Sequence, residues 1–223
     1  MIVTKAGRRM FPVIKLSVSG LCPDSLYVVL LDIVPADTKR YRYIYHSSQW
    51  LPAGEGNPSP SPNLYLHPDS PSPGSLLMSR SVTFDKIKLT NNGSAKVRGQ
   101  VSLHSMQKYI PQIHIIPTSE CNLAVFSRNA IKDAFTFTFN ETEFVTVTAY
   151  QNQKITKLKI ASNPFARGFR ESLKIENMLH CEKHLPFEIT SDGIETSAFQ
   201  RYNPAEDTKP SKDEKKESKI VLV

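Results

Sequence analysis

The chain has 223 residues, 39% of them apolar and 22% charged, and its formal net charge is +7. This length suits one large domain or two small ones. The sequence has no apolar run of about 18 residues, so no transmembrane helix is predicted, and the apolar part of its first residues is too short for a signal peptide. Cys22, Cys121 and Cys181 form no CxxC pair, which argues against a zinc cluster or a disulfide framework and favours a reducing compartment.

The positive charge is concentrated in the first three quarters of the chain. Residues 1–170 carry 20 Lys and Arg against 10 Asp and Glu, a balance of +10, whereas residues 171–223 carry 8 against 11, a balance of −3. A local excess of this kind favours a polyanionic partner such as nucleic acid for the first segment.

The chain begins with strand-like residues around a glycine turn. Arg8 and Arg9 follow Gly7 directly, and we expect the pair at a loop tip. The guanidinium fork of arginine matches O6 and N7 of guanine in the major groove of DNA. The alternative is a surface pair that faces only solvent. Residues 13–18 mostly alternate between apolar and polar and predict the next strand.

A continuous apolar run, LYVVLLDIV at residues 26–34, predicts a strand that is buried on both faces. The alternating segment YRYIY at residues 41–45 predicts a separate strand after it. The Pro, Gly and Ser content of residues 54–62 predicts a loop. A short strand is predicted at residues 64–67, and turn residues follow it.

Further short strands are predicted between residues 82 and 150. The sequence Asn91–Gly93 (NNG) is typical of a hairpin turn. Strict alternation at residues 134–139 (AFTFTF) places its three phenylalanines on one face, which we assign to the core. Residues 144–150 (FVTVTAY) alternate likewise, with two threonines on the opposite face. Many short strands with little helix before residue 150 predict an all-β sandwich or barrel.

A helix is predicted after residue 150. Asn152 is a suitable N-cap, and Lys154 and Lys157, three residues apart, share a face. Ile155 and Leu158 are offset from them and can face a core. The lysines either contact an anion or form a solvated face.

A second short turn follows, in which Asn163 is the cap and Pro164 occupies the first position, where the missing N–H has no cost. Phe165 and Phe169 are four residues apart and therefore lie on one side, close to Arg170. Such a pair is either core or an apolar wedge for a nucleic-acid groove.

The sequence offers no support for catalysis. It lacks the P-loop, GxGxxG, HExxH and GxSxG motifs. The segment HCEKH at residues 180–184 has no fourth ligand at motif spacing, so no metal site is predicted. We therefore expect no enzyme activity, no cofactor and no small-molecule substrate.

Residues 171–223 are polar, and we expect a disordered tail there. Residues 207–219 alternate in charge and contain no core positions. The last four residues, IVLV, are expected to form a loose apolar end. The alternative is a C-terminal ligand for a peptide-binding domain.

Several blocks of the chain resemble the T-box family of transcription factors. They are TKAGRRMFP, LHPDSP, FDKIKLTNN, HSMQKYIPQIHI, ETEFVTVTAYQN, KITKLKI and NPFARGFR, and they occur in family order over roughly residues 1–170. The resemblance implies a T-box DNA-binding domain at 1–170, an immunoglobulin-like β-sandwich or barrel with short C-terminal helices. Because Met1 coincides with an internal methionine of the family pattern, we expect the strand and helix that usually precede it to be missing.

The resemblance also implies the site residues. Arg8 and Arg9 are expected to contact the major groove, one of them at a guanine. The residues expected to enter or border the minor groove are Pro164, Phe165, Ala166, Phe169 and Arg170. The phosphate candidates are Lys154, which matches a family motif, and four residues chosen mainly for their charge, namely Lys157, Lys88, Lys108 and Arg80.

The function that the resemblance implies is sequence-specific binding of double-stranded DNA in the nucleus. The chain would regulate RNA polymerase II transcription at T-site half-elements, AGGTGTGA-like sequences, with transcriptional co-regulators and as a homodimer on paired sites. The alternative is a protein-interaction β-sandwich that has lost DNA binding and uses loops such as residues 54–62.

Overall fold

A computed structural model describes residues 1–58, 64–93, 97, 99–118, 131, 134–166, 168 and 219–222. The chain divides into two compact units. The first contains Met1–Ala149 and Gln200–Val223, and the second contains Tyr150–Phe199. The predicted minor-groove residues Phe169 and Arg170, the HCEKH segment and residues 207–218 lie outside the described residues.

The first unit is built mainly from strands. In chain order they are β1 Arg8–Arg9, β2 Lys15–Ser19, β3 Leu26–Ile44, β4 Gln49–Glu55, β5 Tyr65–Leu66, β6 Ser72–Pro73, β7 Val82–Thr83, β8 Lys88–Thr90, β9 Gln100–Ser102, β10 Gln107–Thr118, β11 Phe135–Thr138, β12 Phe144–Val145 and β13 Lys219–Leu222. Helix α1 spans Gly74–Ser79, and a 3-10 turn spans Asn140–Thr142.

The strands form three sheets around one main core. A seven-stranded sheet has the order β11-β10-β3-β4, with β12 on β10 and with β5 and β6 on β3. The two three-stranded sheets have the orders β1-β8-β9 and β13-β2-β7. All three sheets contribute to one apolar cluster, for example through Leu31, Leu89 and Leu16, each of them fully buried. The described residues therefore form the β-sandwich that the sequence predicts, with few and short helices.

The predicted two-faced burial of residues 26–34 is confirmed. Val29 and Leu31 point into the main core, whereas Val28 and Leu30 join Ile116 in a second apolar cluster on the other face of the sheet. Neighbouring side chains on a strand point to opposite faces, so the uninterrupted apolar run at residues 26–31 is what such a central strand requires. Asp32, the polar residue of the segment, is only half-buried.

The prediction of a separate strand at residues 41–45 is wrong, because β3 continues without a break to Ile44. Pro35, opposite Tyr109, lies within the strand, and the pairing register shifts between Tyr109 and Gln107. Proline is tolerated in a strand where the ladder is irregular. Residues 36–40, although mostly polar, continue the strand into a hairpin with β4, whose residues are mostly exposed.

The hairpin predicted at Asn91–Gly93 is also wrong. Strands β8 and β9 pair in parallel, with Lys88 opposite Gln100 and Thr90 opposite Ser102. Parallel neighbours cannot be joined by a two-residue turn. The chain therefore leaves the sheet after Thr90 and returns to it in the same direction.

The core assignment holds for two of the three phenylalanines. Phe139 is buried and Phe137 is half-buried against the main core, but Phe135, at the start of β11, is exposed. Thr146, expected on the polar face, is fully buried, and its hydroxyl donates to the carbonyl oxygens of His104 (2.6 Å) and Gln107 (3.0 Å). These bonds remove the desolvation cost that burial of an unpaired hydroxyl carries.

Helix α1 has no counterpart in the sequence prediction, because six residues are too few to show helical periodicity. Gly74 begins the helix and donates its N–H to Ser25 O (2.9 Å). A Cβ at this position would lie 2.2 Å from Cys22 O, so only glycine fits against this backbone. None of the described helices is long and apolar enough to cross a membrane.

The expectation of a loose end at IVLV is wrong for its described residues. Lys219–Leu222 pairs with β2 in antiparallel register, and Ile220 is buried in the main core. The segment KIVL alternates, so one face can be apolar once a neighbouring strand is available. No local signal reveals that neighbour, because β2 lies near the opposite end of the sequence.

Candidate nucleic-acid interface

The arginine pair lies on a strand and not at a loop tip as predicted. Strand β1 pairs with β8 in antiparallel register, with Arg8 opposite Leu89 and Arg9 opposite Lys88. Both arginines are exposed, while Leu89 is fully buried. The guanidinium groups are thus carried by a backbone that the core holds in place.

A tight turn lies directly before β1 and fixes the position at which the two arginines begin the strand. Gly7 has φ +81 and donates its N–H to Thr4 O (3.1 Å). The side-chain amide of Gln100 donates to Ala6 O (3.2 Å), which joins the turn to β9. A positive φ favours glycine, because other residues meet a steric penalty there.

Thr90 also stabilises this turn through side-chain hydrogen bonds. Its hydroxyl donates to Thr4 O (2.9 Å) and Lys5 O (3.1 Å), and it accepts from Asn92 N (3.1 Å). The side chain is fully buried. Neither Thr90 nor Gln100 is identified as a supporting residue by sequence reasoning, although Thr90 lies within the FDKIKLTNN block.

Positive charge accumulates along β1 and β8, in the three-stranded sheet β1-β8-β9. Lys88 is exposed and lies directly opposite Arg9, so the two cations occupy neighbouring positions. Like charges at opposite positions of two paired strands repel each other, and a phosphate beside them would relieve the repulsion. Lys5, exposed on the adjacent turn, adds a cation that the sequence analysis does not select.

Replacing Gly7 by alanine is expected to lower the free energy of unfolding by about 1–2 kcal/mol, because the new side chain would be held at positive φ. Its Cβ would also lie 3.0 Å from Nε2 of Gln100, the atom that braces the turn. Urea denaturation measures the change. The control is Gly93→Ala, where a Cβ meets nothing within 4 Å. Equal losses of unfolding free energy in the two variants would show that the turn at Gly7 does not require glycine.

The second unit contains helix α2, Gln153–Ser162, and its predicted cap is confirmed. Asn152 Oδ1 accepts from Lys154 N (2.8 Å) and Ile155 N (3.3 Å). These bonds satisfy backbone donors that have no partner within the helix. The helix ends where Asn163 N donates to Lys159 O (2.9 Å).

The predicted core face of α2 is wrong. Ile155 is 41% exposed and Leu158 is 59% exposed, and the helix contains no buried residue. Lys154 and Lys157 are exposed as well, which leaves both available to an anion. Lys159 differs from them, since it is half-buried and this partial burial lowers the pKa of its ammonium group.

The turn after α2 forms as predicted and presents an aromatic ring. Pro164–Ala166 is a 3-10 turn in which Asn163 Oδ1 accepts from Phe165 N (3.0 Å). Phe165 is 65% exposed, whereas Ala166 is buried. This exposure contradicts the core alternative for Phe165. Pro164 is exposed beside it.

Two of the charge-based phosphate candidates are engaged elsewhere in the first unit. Arg80 forms an ion pair with Asp69 (2.8 Å), and Lys108 forms one with Glu143 (2.9 Å). The hydrogen bond that Lys108 Nζ donates to Glu143 raises the pKa of Lys108. A phosphate would have to compete with these carboxylates, so Lys88, Lys154 and Lys157 are the stronger candidates.

A β-sandwich with an arginine-bearing edge strand, followed by a lysine-rich helix and an exposed phenylalanine, has the chemistry of a nucleic-acid-binding protein. The T-box family model matches residues 1–171. The chain belongs to the T-box family. Family membership also agrees with the prediction that the protein is not an enzyme.

The chain is similar to several T-box transcription factors. It is 51% identical over 178 residues to TBX20 of Danio rerio, a match that covers 80% of this chain and 40% of the relative. It is 51% identical over 173 residues to TBX22 of Mus musculus, covering 77% and 33%, and to T-box protein 12 of Caenorhabditis elegans, covering 77% and 50%. The chain thus matches half or less of the length of these relatives.

Proposed function

We propose that this protein binds double-stranded DNA in a sequence-specific manner and regulates transcription. Its relatives TBX20 and TBX22 are named T-box transcription factors. The observation that carries the proposal is the arginine-bearing strand β1. Its two exposed guanidinium groups and Lys88 lie on a sheet whose turn is braced by Gln100. A binding group that is ordered before contact loses little conformational entropy when the complex forms.

The proposed mechanism assigns each group its own part of the duplex. Arg8 and Arg9 approach the major groove, where a bidentate arginine distinguishes guanine from the other bases. Lys88, Lys154 and Lys157 contact phosphates and supply affinity that does not depend on sequence. Pro164, Phe165 and Ala166, together with Phe169 and Arg170, enter or border the minor groove.

The proposal extends to the finer aspects of the function, for which the family resemblance is the support. The target is a T-site half-element with an AGGTGTGA-like sequence, and the setting is RNA polymerase II transcription in the nucleus. The protein acts with transcriptional co-regulators and forms a homodimer on paired sites. The DNA-binding domain covers residues 1–170, and strand β13 joins one of its sheets from the segment that follows.

Selection of bound duplexes from a random pool tests the proposal directly. Enrichment of T-site half-elements is the expected result. In a second assay, the logarithm of the association constant should fall steeply and linearly with the logarithm of the salt concentration, because phosphate contacts release counterions. A flat response with no enriched sequence would favour a protein-binding module instead.

Phe165→Ala is expected to weaken binding to a T-site duplex by about tenfold or more, since an apolar wedge stabilises the opened groove. The melting temperature should barely change, because the ring is mostly exposed in the folded protein. Leu158→Ala is the matched control, as it removes another exposed apolar side chain from the same unit. A large fall in melting temperature with unchanged affinity would show that Phe165 has a structural role.

A further inference from the structure

Gln100 connects two parts of the first unit that are far apart in the sequence. It begins strand β9, and its side-chain amide donates to Ala6 O (3.2 Å), 94 residues away in the turn before β1. Lys88 lies opposite Gln100 in one ladder and opposite Arg9 in the other. Opposite residues of paired strands direct their side chains to the same face of a sheet. Gln100, Lys88 and Arg9 therefore form one row across the sheet β1-β8-β9.

The backbone that carries the Gln100 side chain is held on both sides of its first peptide. Gly99 has φ +85, and its carbonyl oxygen accepts from Lys88 N (2.9 Å). Gln100 N donates to Val97 O (3.0 Å). These bonds fix the point from which the amide reaches the turn before β1.

The amide of Gln100 completes the anchoring of the peptide that joins Ala6 to Gly7. The N–H of this peptide donates to Thr4 O (3.1 Å), and its carbonyl oxygen accepts from Gln100. Glycine tolerates a wide range of φ values, so the peptide could rotate if only one of its polar groups were bound. With both groups bound, it keeps the single orientation that leads into Arg8.

This anchor is separable from the core of the protein. The hydroxyl of Thr90, which is fully buried, holds the first half of the turn through Thr4 O and Lys5 O. Gln100 holds the second half through Ala6 O and is only half-buried. Loss of the Gln100 amide should therefore free the second half of the turn while the core remains intact.

We propose that Gln100 is a positioning residue for DNA recognition, and that its amide sets the orientation in which the arginine pair meets the bases. The inference rests on the proposed function, in which Arg8 and Arg9 approach the major groove. Groups that recognise a ligand have to be held within about 0.5 Å of the productive geometry. Arginines that follow a rotating peptide would still attract phosphates, but they would lose the bidentate geometry that identifies a base.

Gln100→Met tests this role, because methionine is unbranched and uncharged like glutamine but has no N–H to donate. Fluorescence anisotropy measures binding of the full chain to a T-site duplex and to a scrambled duplex. Affinity for the T-site duplex is expected to fall about fivefold or more, the lower limit for one bidentate base contact. Affinity for the scrambled duplex should stay the same, because the charge of the protein does not change.

Gln112→Met is the matched control, since Gln112 is also a half-buried glutamine on a strand but belongs to the seven-stranded sheet. It should leave both affinities unchanged. Circular dichroism and urea denaturation show whether each variant is folded. If Gln100→Met lowers both affinities together with the folded signal, Gln100 is required for the fold and the positioning role is overturned.

The same substitution in a chain that also carries Arg8→Ala and Arg9→Ala shows whether Gln100 acts through the arginines. No further loss of affinity for the T-site duplex is expected, because the groups that Gln100 positions are absent. If Gln100→Met causes the same loss with and without the arginines, Gln100 contacts the DNA itself and the proposal is wrong.

The chain without substitutions separates this inference from the proposed function. If it does not prefer the T-site duplex to the scrambled duplex, the proposed function fails and the role of Gln100 fails with it. If it shows the preference and Gln100→Met keeps it in full, the arginines are positioned without the amide. That result would overturn the inference alone and leave the proposed function in place.

Discussion

Replacing both Arg8 and Arg9 by alanine is expected to reduce affinity for a T-site duplex by about 100-fold or more. A bidentate arginine contact to guanine contributes about 1–3 kcal/mol, and its neighbour contributes a phosphate or a second base contact. Both side chains are exposed, and the pairing of β1 with β8 uses the backbone. The free energy of unfolding should therefore change by less than about 0.5 kcal/mol, as is usual for surface positions.

The matched control for this loss is Arg40→Ala with Arg42→Ala. These arginines are also exposed on a strand, and their removal lowers the net charge by the same amount. Fluorescence anisotropy with a T-site duplex and with a scrambled duplex separates the loss of base recognition from the loss of general electrostatic affinity. The Arg8 and Arg9 variant should lose discrimination between the duplexes, whereas the control should lose only a small, salt-dependent part of its affinity. Equal losses in both variants would contradict a base-reading role for the pair.

Features that depend on neighbouring residues could be predicted from the sequence. The cap at Asn152 involves N–H groups two and three residues further on, and the turn at Asn163 and Pro164 is equally local. The buried strand at residues 26–34 could be predicted as well, since its composition alone requires apolar cover on both faces. In each case the necessary information lies within one short segment.

Features that depend on distant partners could not be predicted in the same way. Arg8 and Arg9 belong to a strand because β8, about eighty residues later, pairs with them. Phe135 is exposed at the start of β11 although Phe137 and Phe139, on the same face, pack against the core. The KIVL segment is a strand because β2 offers it an edge. Register and sheet order are set by tertiary contacts, and a local pattern is compatible with several of them.

The exposure of apolar side chains in the second unit could not be predicted from the local pattern either. The spacing of Ile155 and Leu158 suits a core-facing stripe, yet both are exposed, as is Phe165. Apolar residues that remain exposed on an ordered helix and turn incur a cost in water. Contact of the Phe165 ring with the sugar and base edges of a minor groove would remove it from water, as the proposed role of this residue requires.

Lowering the pH from 6.5 to 4 is expected to destabilise the first unit by about 3 kcal/mol through His114 alone. The ring is buried at the centre of β10, where its Nδ1 is 2.8 Å from Thr136 Oγ1. Its Nε2 has no hydrogen-bond partner among the described residues. Burial lowers the pKa of His114 from 6.5 to about 4, because a charged imidazolium cannot be solvated there.

The sign of the effect follows from the neutral form being favoured in the folded state. Stability is complete above the unfolded pKa of about 6.5 and is lost as the pH falls toward the folded value. His67, whose pKa burial also lowers, acts in the same direction, so the test compares variants and does not rely on the total slope. In urea titrations, His114→Gln should reduce the pH dependence between 6.5 and 4 by about the share assigned to His114, while His46→Gln, at an exposed position, should leave it unchanged. An unchanged slope in His114→Gln would mean that the imidazole gains solvent or a partner on protonation, and that the sheet opens locally to admit it.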